Sequence, residues 1–147
     1  MIKWVNKGVT KMKVAVIGSR GITKCDLASY LPKDTDEIVS GGARGIDTCA
    51  KEYAKKNGIK LTEFLPEYDK YGRGAPLRRN IQIIEYADLV IAFWDGKSRG
   101  TRFVMDKCEE KGIPTKFYLF KNSEIVKEGK VRICGERAYV PREVGKR

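Results

Sequence analysis

The chain contains no histidine. That removes Ser-His and Cys-His nucleophile pairs and the commonest metal ligand, so any proton transfer falls to carboxylates, tyrosine, lysine or cysteine. Its four cysteines, Cys25, Cys49, Cys108 and Cys134, are scattered with no Cys-x-x-Cys pair. That spacing argues against a zinc site and a disulfide framework, and predicts reduced, mostly buried thiols. No apolar run is long enough to span a bilayer, and the N-terminus lacks the apolar stretch of a secretory signal. The expectation is a cytoplasmic protein without membrane contact. Acidic residues are scarce: 19 Asp and Glu face 30 Lys and Arg, for a formal charge of +11. Such a balance favours anionic partners such as nucleotides and nucleic acid.

What is present is an alternation of short apolar runs and amphipathic stretches. At 147 residues the chain is long enough for one domain with a full core. Val14-Ala15-Val16-Ile17 is a strand apolar on both faces, as a buried parallel sheet requires. Further strands are predicted over 38–40, 60–65, 88–93 and 115–120. Helices are predicted over 26–31, from Gly45-Ile46-Asp47 to Asn57, over 76–87 and over 102–111, with a polar loop at 66–75. Strands alternating with helices give an α/β fold whose parallel sheet lies between helix layers. Residues 1–12 read as a basic arm and 13–120 as the folded domain. Residues 121–147 read as a hairpin turning at Glu128-Gly129, followed by a basic tail.

Glycine loops follow the carboxyl ends of three predicted strands, at 18–21, 41–45 and 96–100, where ligands of open parallel sheets bind. The run Glu-Ile-Val-Ser-Gly-Gly-Ala-Arg-Gly-Ile-Asp over 37–47 is a strand, a glycine turn and a helix start, which together suit an anion. Neither the Gly-x-Gly-x-x-Gly pattern nor a P-loop lysine is present. Seven of the eleven arginines lie in these loops or in the helical turns that follow: Arg20, Arg44, Arg73, Arg78, Arg79, Arg99 and Arg102. A guanidinium offers a planar fork to phosphate. Arg78, Arg79 and Arg102 sit where the helix dipole disfavours cations by ~0.3–1 kcal/mol, a penalty that a bound anion reverses. The opposing expectation is that Arg78 or Arg79 pairs with Glu67, Asp69 or Glu85.

Asp47 opens a helix, either as a dipole-matched carboxylate or as a ribose contact or general base. Ser19, Ser40 and Thr101 offer hydroxyls to phosphate or to helix capping. Asp88 begins its strand at the wrong end of the sheet and reads as structural, whereas Asp95 ends the same strand and stays a candidate. Tyr68, Tyr71 and Trp94 suit base stacking or packing.

Four ordered motifs resemble the SLOG superfamily, nearest to its YspA-like, YpsA-related group, with the DNA-processing protein DprA/Smf and the Lonely Guy enzymes as cousins. They are Val-Ala-Val-Ile-Gly-Ser-Arg (14–20), Val-Ser-Gly-Gly-Ala-Arg-Gly-Ile-Asp (39–47), Arg-Arg-Asn-Ile (78–81) and Ala-Asp-Leu-Val-Ile-Ala-Phe-Trp-Asp-Gly-Lys-Ser-Arg-Gly-Thr (87–101). The resemblance implies a Rossmann-like, doubly wound parallel sheet of five strands in the order 3-2-1-4-5, and a homodimer or higher oligomer. It also implies a pocket for a phosphorylated nucleotide or a derivative of one. By position the resemblance implies Gly18, Ser19 and Arg20; Gly41, Gly42, Gly45 and Asp47; Arg79 and Asn80; and Ser98, Gly100 and Thr101 as the site, to which the reading of the same loops adds Ser40, Ala43, Arg44, Arg78 and Arg99. No metal or cofactor is expected, and Asp47 is the catalytic candidate.

DprA-like relatives bind single-stranded DNA, and Lonely Guy enzymes hydrolyse nucleotide N-glycosidic bonds. The hydrolases carry a glutamate after their last Gly-Thr, whereas here Gly100-Thr101 is followed by Arg102-Phe103-Val104. The extra domains of full-length DprA proteins are not matched. The expectation is therefore a nucleotide-binding module, with N-glycosidase and single-stranded DNA binding as alternatives.

Overall fold

The computed structural model describes residues 12–22, 25–42, 44–121 and 124–131. The expected arm up to residue 11, Ala43 of the glycine loop and the basic tail from residue 132 lie outside the described residues. Val14, Ala15 and Val16 have no exposed surface, because β1 (Met12–Gly18) lies in the middle of the sheet. It pairs in parallel with β2 (Thr35–Ser40) on one side and β4 (Leu89–Trp94) on the other. β3 (Lys60–Glu63) adds to β2 and β5 (Thr115–Lys121) to β4, again in parallel. β6 (Glu124–Val131) runs antiparallel to β5, giving the order β3-β2-β1-β4-β5-β6. The expected doubly wound order 3-2-1-4-5 is observed, extended by one antiparallel strand.

The helices are α1 (Ile46–Asn57), the single turn α2 (Tyr68–Tyr71), α3 (Ala75–Tyr86) and α4 (Arg99–Lys111). Alternate strand residues point to opposite faces. Val14, Val16, Ile38, Ile91 and Phe93 therefore meet Ile46, Ala50 and Ala54 of α1. Ala15, Ile17, Val39 and Val90 meet Ile83 and Ile84 of α3 and Val104 and Cys108 of α4. Both sheet faces are covered, as the two-sided apolar runs require. α1 and α4 each end on a left-handed glycine, Gly58 and Gly112, whose N–H groups close the last turn. No helix among the described residues is long and apolar enough to cross a membrane.

Several local expectations are corrected. Residues 26–31 form only a 3-10 turn, Leu27–Ser29. The Asp26 carboxylate accepts from the Ser29 hydroxyl at 2.9 Å instead of capping backbone N–H groups, and Pro32 stops elongation. The 66–75 loop contains α2 and a 3-10 turn, Gly72–Gly74. Helix α4 begins at Arg99, three residues earlier than the apolar pattern indicates, because Ser98 is its N-cap. Glu128-Gly129 is not a turn; both residues lie inside β6, opposite Tyr118 and Phe117. A Cβ at Gly129 would come within 3.0 Å of the Phe117 ring, so glycine makes room for the aromatic.

The thiols of Cys25 and Cys49 are half-buried and that of Cys108 is buried. Burial, reinforced by Cys49 and Asp26, pushes Cys25 up to about 12. Burial likewise pushes Cys108 up to about 11. Both stay protonated and unreactive near neutral pH.

At the amino edge of the sheet Glu37 is buried. Its Oε2 accepts from the Thr62 and Tyr86 hydroxyls, both at 2.6 Å, and Lys60 Nζ lies 3.8 Å from Oε1. Burial alone would raise its pKa; the two hydroxyls, Lys60 and Lys13 outweigh burial and hold it below 4.5. A depressed carboxylate stabilises the fold above its unfolded pKa, and that contribution disappears as pH falls through the folded value. Glu37→Gln is expected to cost about 1–3 kcal/mol at pH 7. It is also expected to flatten the loss of stability below pH ~4.5, read from urea midpoints across pH. Asp88, at the same edge, accepts from Lys13 N at 2.9 Å and its own N–H donates to Lys13 O at 2.7 Å. It is structural, in accord with its place at the start of β4.

Candidate functional site

The chain leaves β1 toward β2 on one side and later returns to β4 on the other, so the loops after β1 and β4 diverge and open a crevice. A cavity of about 430 Å³ fills it. Gly18, Arg20 and Gly21 line it from the loop after β1, Gly41 from the loop after β2, and Asp47 from the first turn of α1. Pro76, Leu77, Arg79 and Asn80 come from the start of α3, and Asp95, Ser98, Gly100 and Thr101 from the loop after β4 and the start of α4. The first turns of α1 and α4 therefore border one space, where their partial positive charges add, and α3 lines it with the flank that carries Pro76, Arg79, Asn80 and Ile83. Neither α1 nor α3 has a side-chain cap.

Arg79 is the central side chain, only 7% exposed. Its Nη1 donates to the Gly41 carbonyl at 2.6 Å and to the Phe64 carbonyl at 3.4 Å, and its Nε to Asn80 Oδ1 at 2.9 Å. Burial lowers its pKa, Asp47 and Tyr68 oppose that fall, and Arg20 adds to it. The expected pairing of Arg78 or Arg79 with a neighbouring carboxylate is not observed. Arg79 pairs with none of Glu67, Asp69 or Glu85; it ties α3 to the glycine loop through backbone carbonyls while facing the cavity. Glu85 is 2.9 Å from Lys111 instead. Arg78 is exposed and lies 4.8 Å from the Tyr71 ring, outside the cavity.

The loop after β4 is held by its own groups. Asp95 Oδ1 accepts from the N–H groups of Lys97 and Ser98, each at 2.8 Å. Burial would raise the Asp95 pKa, but those N–H groups and the Ser19 hydroxyl hold it below its ordinary value. Ser19 is buried and its Oγ accepts from Asp95 N at 3.1 Å, so it bridges the two loops without lining the cavity. Ser98 Oγ accepts from Thr101 N at 3.4 Å as the α4 cap. Trp94 is buried against Met105 and Leu119 and its indole N–H donates to Ser98 O at 2.9 Å, so it is core and not a stacking platform.

A second cavity of about 270 Å³ adjoins the first, sharing Arg20, Gly41 and Arg79. Gly42, Arg44, Leu65 and Tyr68 complete its rim. Leu65 and Tyr68 are 60% and 58% exposed, so apolar and aromatic surface stands beside the guanidinium groups. The sequence-predicted residues thus divide. Gly18, Arg20, Gly41, Asp47, Arg79, Asn80, Ser98, Gly100 and Thr101 line the first cavity, and Gly42 and Arg44 only the second. Ser40 is buried, its hydroxyl 3.4 Å from Gly42 N. Gly45 packs on the Arg20 backbone, and Arg99 faces the far side of its loop. Pro76 and Leu77 were missed; the signal for them is a helix start at the carboxyl edge of the sheet.

A family model for DNA recombination-mediator protein A matches residues 5–90, which contain the first three glycine and arginine motifs. The chain belongs to that family. It is also 36% identical over 83 residues to the Gene 61 protein of Mycobacterium phage D29, a match that covers 52% of this chain and 66% of that relative. No solved structure matches the chain. Within the DNA recombination-mediator family frame, Arg20, Arg44, Tyr68 and Arg79 fall inside the matched span, whereas the α4 side of the crevice lies beyond it.

Proposed function

We propose that the carboxyl edge of the sheet binds single-stranded DNA. The observation that carries this reading is the second cavity, where exposed Arg20 and Arg44 stand beside exposed Tyr68 in a chain of the DNA recombination-mediator protein A family. Single strands are held by cations that follow the phosphates and by aromatic rings on which bases stack. The formal charge of +11 raises the encounter rate with any such polyanion. Fluorescence anisotropy of a labelled oligothymidylate, titrated at several salt concentrations, tests it. Binding should weaken steeply with salt. Arg44→Glu should weaken it about tenfold at low salt and reduce the salt slope by about one or more phosphate equivalents. Because Arg44 is exposed, its far-ultraviolet circular dichroism should match the parent. A salt-independent affinity, or an Arg44→Glu chain that binds like the parent, sinks the proposal.

A second reading is favoured by the 430 Å³ cavity at the switch point, bordered by the first turns of α1 and α4. It takes a phosphorylated nucleotide, as a YspA-like sensor would, with Arg20 toward the phosphate and Asp47 or Asn80 toward ribose or base. Isothermal titration with mononucleotides separates the two. Mononucleotide binding that the oligonucleotide does not compete away favours the second reading over the first.

A further inference from the structure

We propose that a third cavity, on the α4 side of the loop after β4, takes a further nucleotide of the same single strand, an inference that rests on the DNA-binding reading above. The cavity measures about 620 Å³ and shares Asp95 and Ser98 with the central one. The three spaces lie in turn at the carboxyl ends of the parallel strands, from the β3 side to β5, with the loop after β4 between the central one and the third. Five parallel strands span roughly 19 Å from first to last, which an extended single strand covers in about three nucleotides.

The third compartment has the chemistry for one of them. Trp94 and Leu119 close its inner end as core, and the half-buried Phe103 ring is the apolar surface it offers a base. Its rim carries Lys97, Arg99 and Lys121, all exposed and without an ion pair among the described residues. The acidic groups present are already engaged. Asp106 pairs with Arg102 at 3.2 Å, and Asp95 accepts from the Lys97 and Ser98 N–H groups. Arg102, paired with Asp106, also lies 5.8 Å from the Trp94 ring. A base against the Phe103 ring with its phosphate at the basic rim is the arrangement that satisfies both.

The test is competition of unlabelled oligothymidylates of two, three, four and six nucleotides against a labelled strand, with the full chain and with a Lys97→Glu/Lys121→Glu double variant. Affinity should rise about tenfold for each nucleotide that gains a compartment, then level off. The double variant should lose about tenfold for the longer strands and little for the dinucleotide. A rise that stops at two nucleotides, or a variant that loses equally at every length, overturns the third compartment and leaves DNA binding intact. If no oligonucleotide competes, both fall. An acidic peptide that displaces the label from the parent but not from the double variant, while strand length has no effect, also overturns it.

Discussion

Arg79→Ala is expected to destabilise the chain by about 2–4 kcal/mol, read as a lower urea midpoint with an unchanged slope. The guanidinium is buried and holds the Gly41 and Phe64 carbonyls and the Asn80 side chain. Truncation leaves the Gly41 carbonyl without its donor at 2.6 Å and removes the attraction between the guanidinium and Asp47. An unmade buried hydrogen bond is among the costliest single changes. Arg79→Lys should recover part of the loss, because one ammonium cannot reproduce the planar fork. If Arg79 served only to hold a ligand, its removal would leave the unliganded chain as stable as the parent. That outcome, combined with lost DNA binding, would assign it a purely ligand-holding role.

Gly45→Ala is the second large effect, expected to cost about 3 kcal/mol and to lower the melting temperature by about 6–12 °C. Gly45 has φ +77 and ψ −124, a conformation that L side chains avoid, as the N-cap of α1. An added Cβ would lie 2.6 Å from the Arg20 carbonyl oxygen and 2.9 Å from the carbonyl carbon and Cα of the same residue. The backbone carrying Arg20 must shift, so oligonucleotide affinity should fall along with stability. Gly100→Ala is the contrast. Gly100 lies in the first turn of α4 with open space where a Cβ would go, and its alanine variant should melt at or above the parent. Equal melting shifts for the two would refute the close-approach explanation.

These two residues show what could be read from the chain and what could not. Arginines clustered after strand ends, glycine turns and two-sided apolar runs were visible as local patterns. They indicated glycine and arginine loops at the carboxyl edge and the parallel character of the sheet. The same patterns predicted Arg79 and the glycine loop as parts of one site without showing why they belong together. Gly41 is glycine because the Arg79 side chain passes where its Cβ would stand, 2.5 Å from Nη1. Those residues are 38 positions apart, and no spacing rule reaches that far.

Trp94 shows the same limit. A ring at a strand end beside a basic loop suits stacking by type, yet only packing against Met105 and Leu119 decided that it is core. Glu128-Gly129 carries turn chemistry, but the Phe117 ring across the strand pair overrode it.

The sequence by itself determined the alternation of strands and helices, the excess of positive charge, the absence of imidazole chemistry and the edge of the sheet at which glycines and arginines gather. Each of these depends on neighbours in the chain, where residue type and period suffice. Tertiary structure alone decided which arginine turns inward, which glycines make room for another segment, and which loop residues line the same cavity. Those outcomes depend on the contacts made when the loops after β1, β2 and β4 are brought together by a sheet whose order differs from the order of the chain.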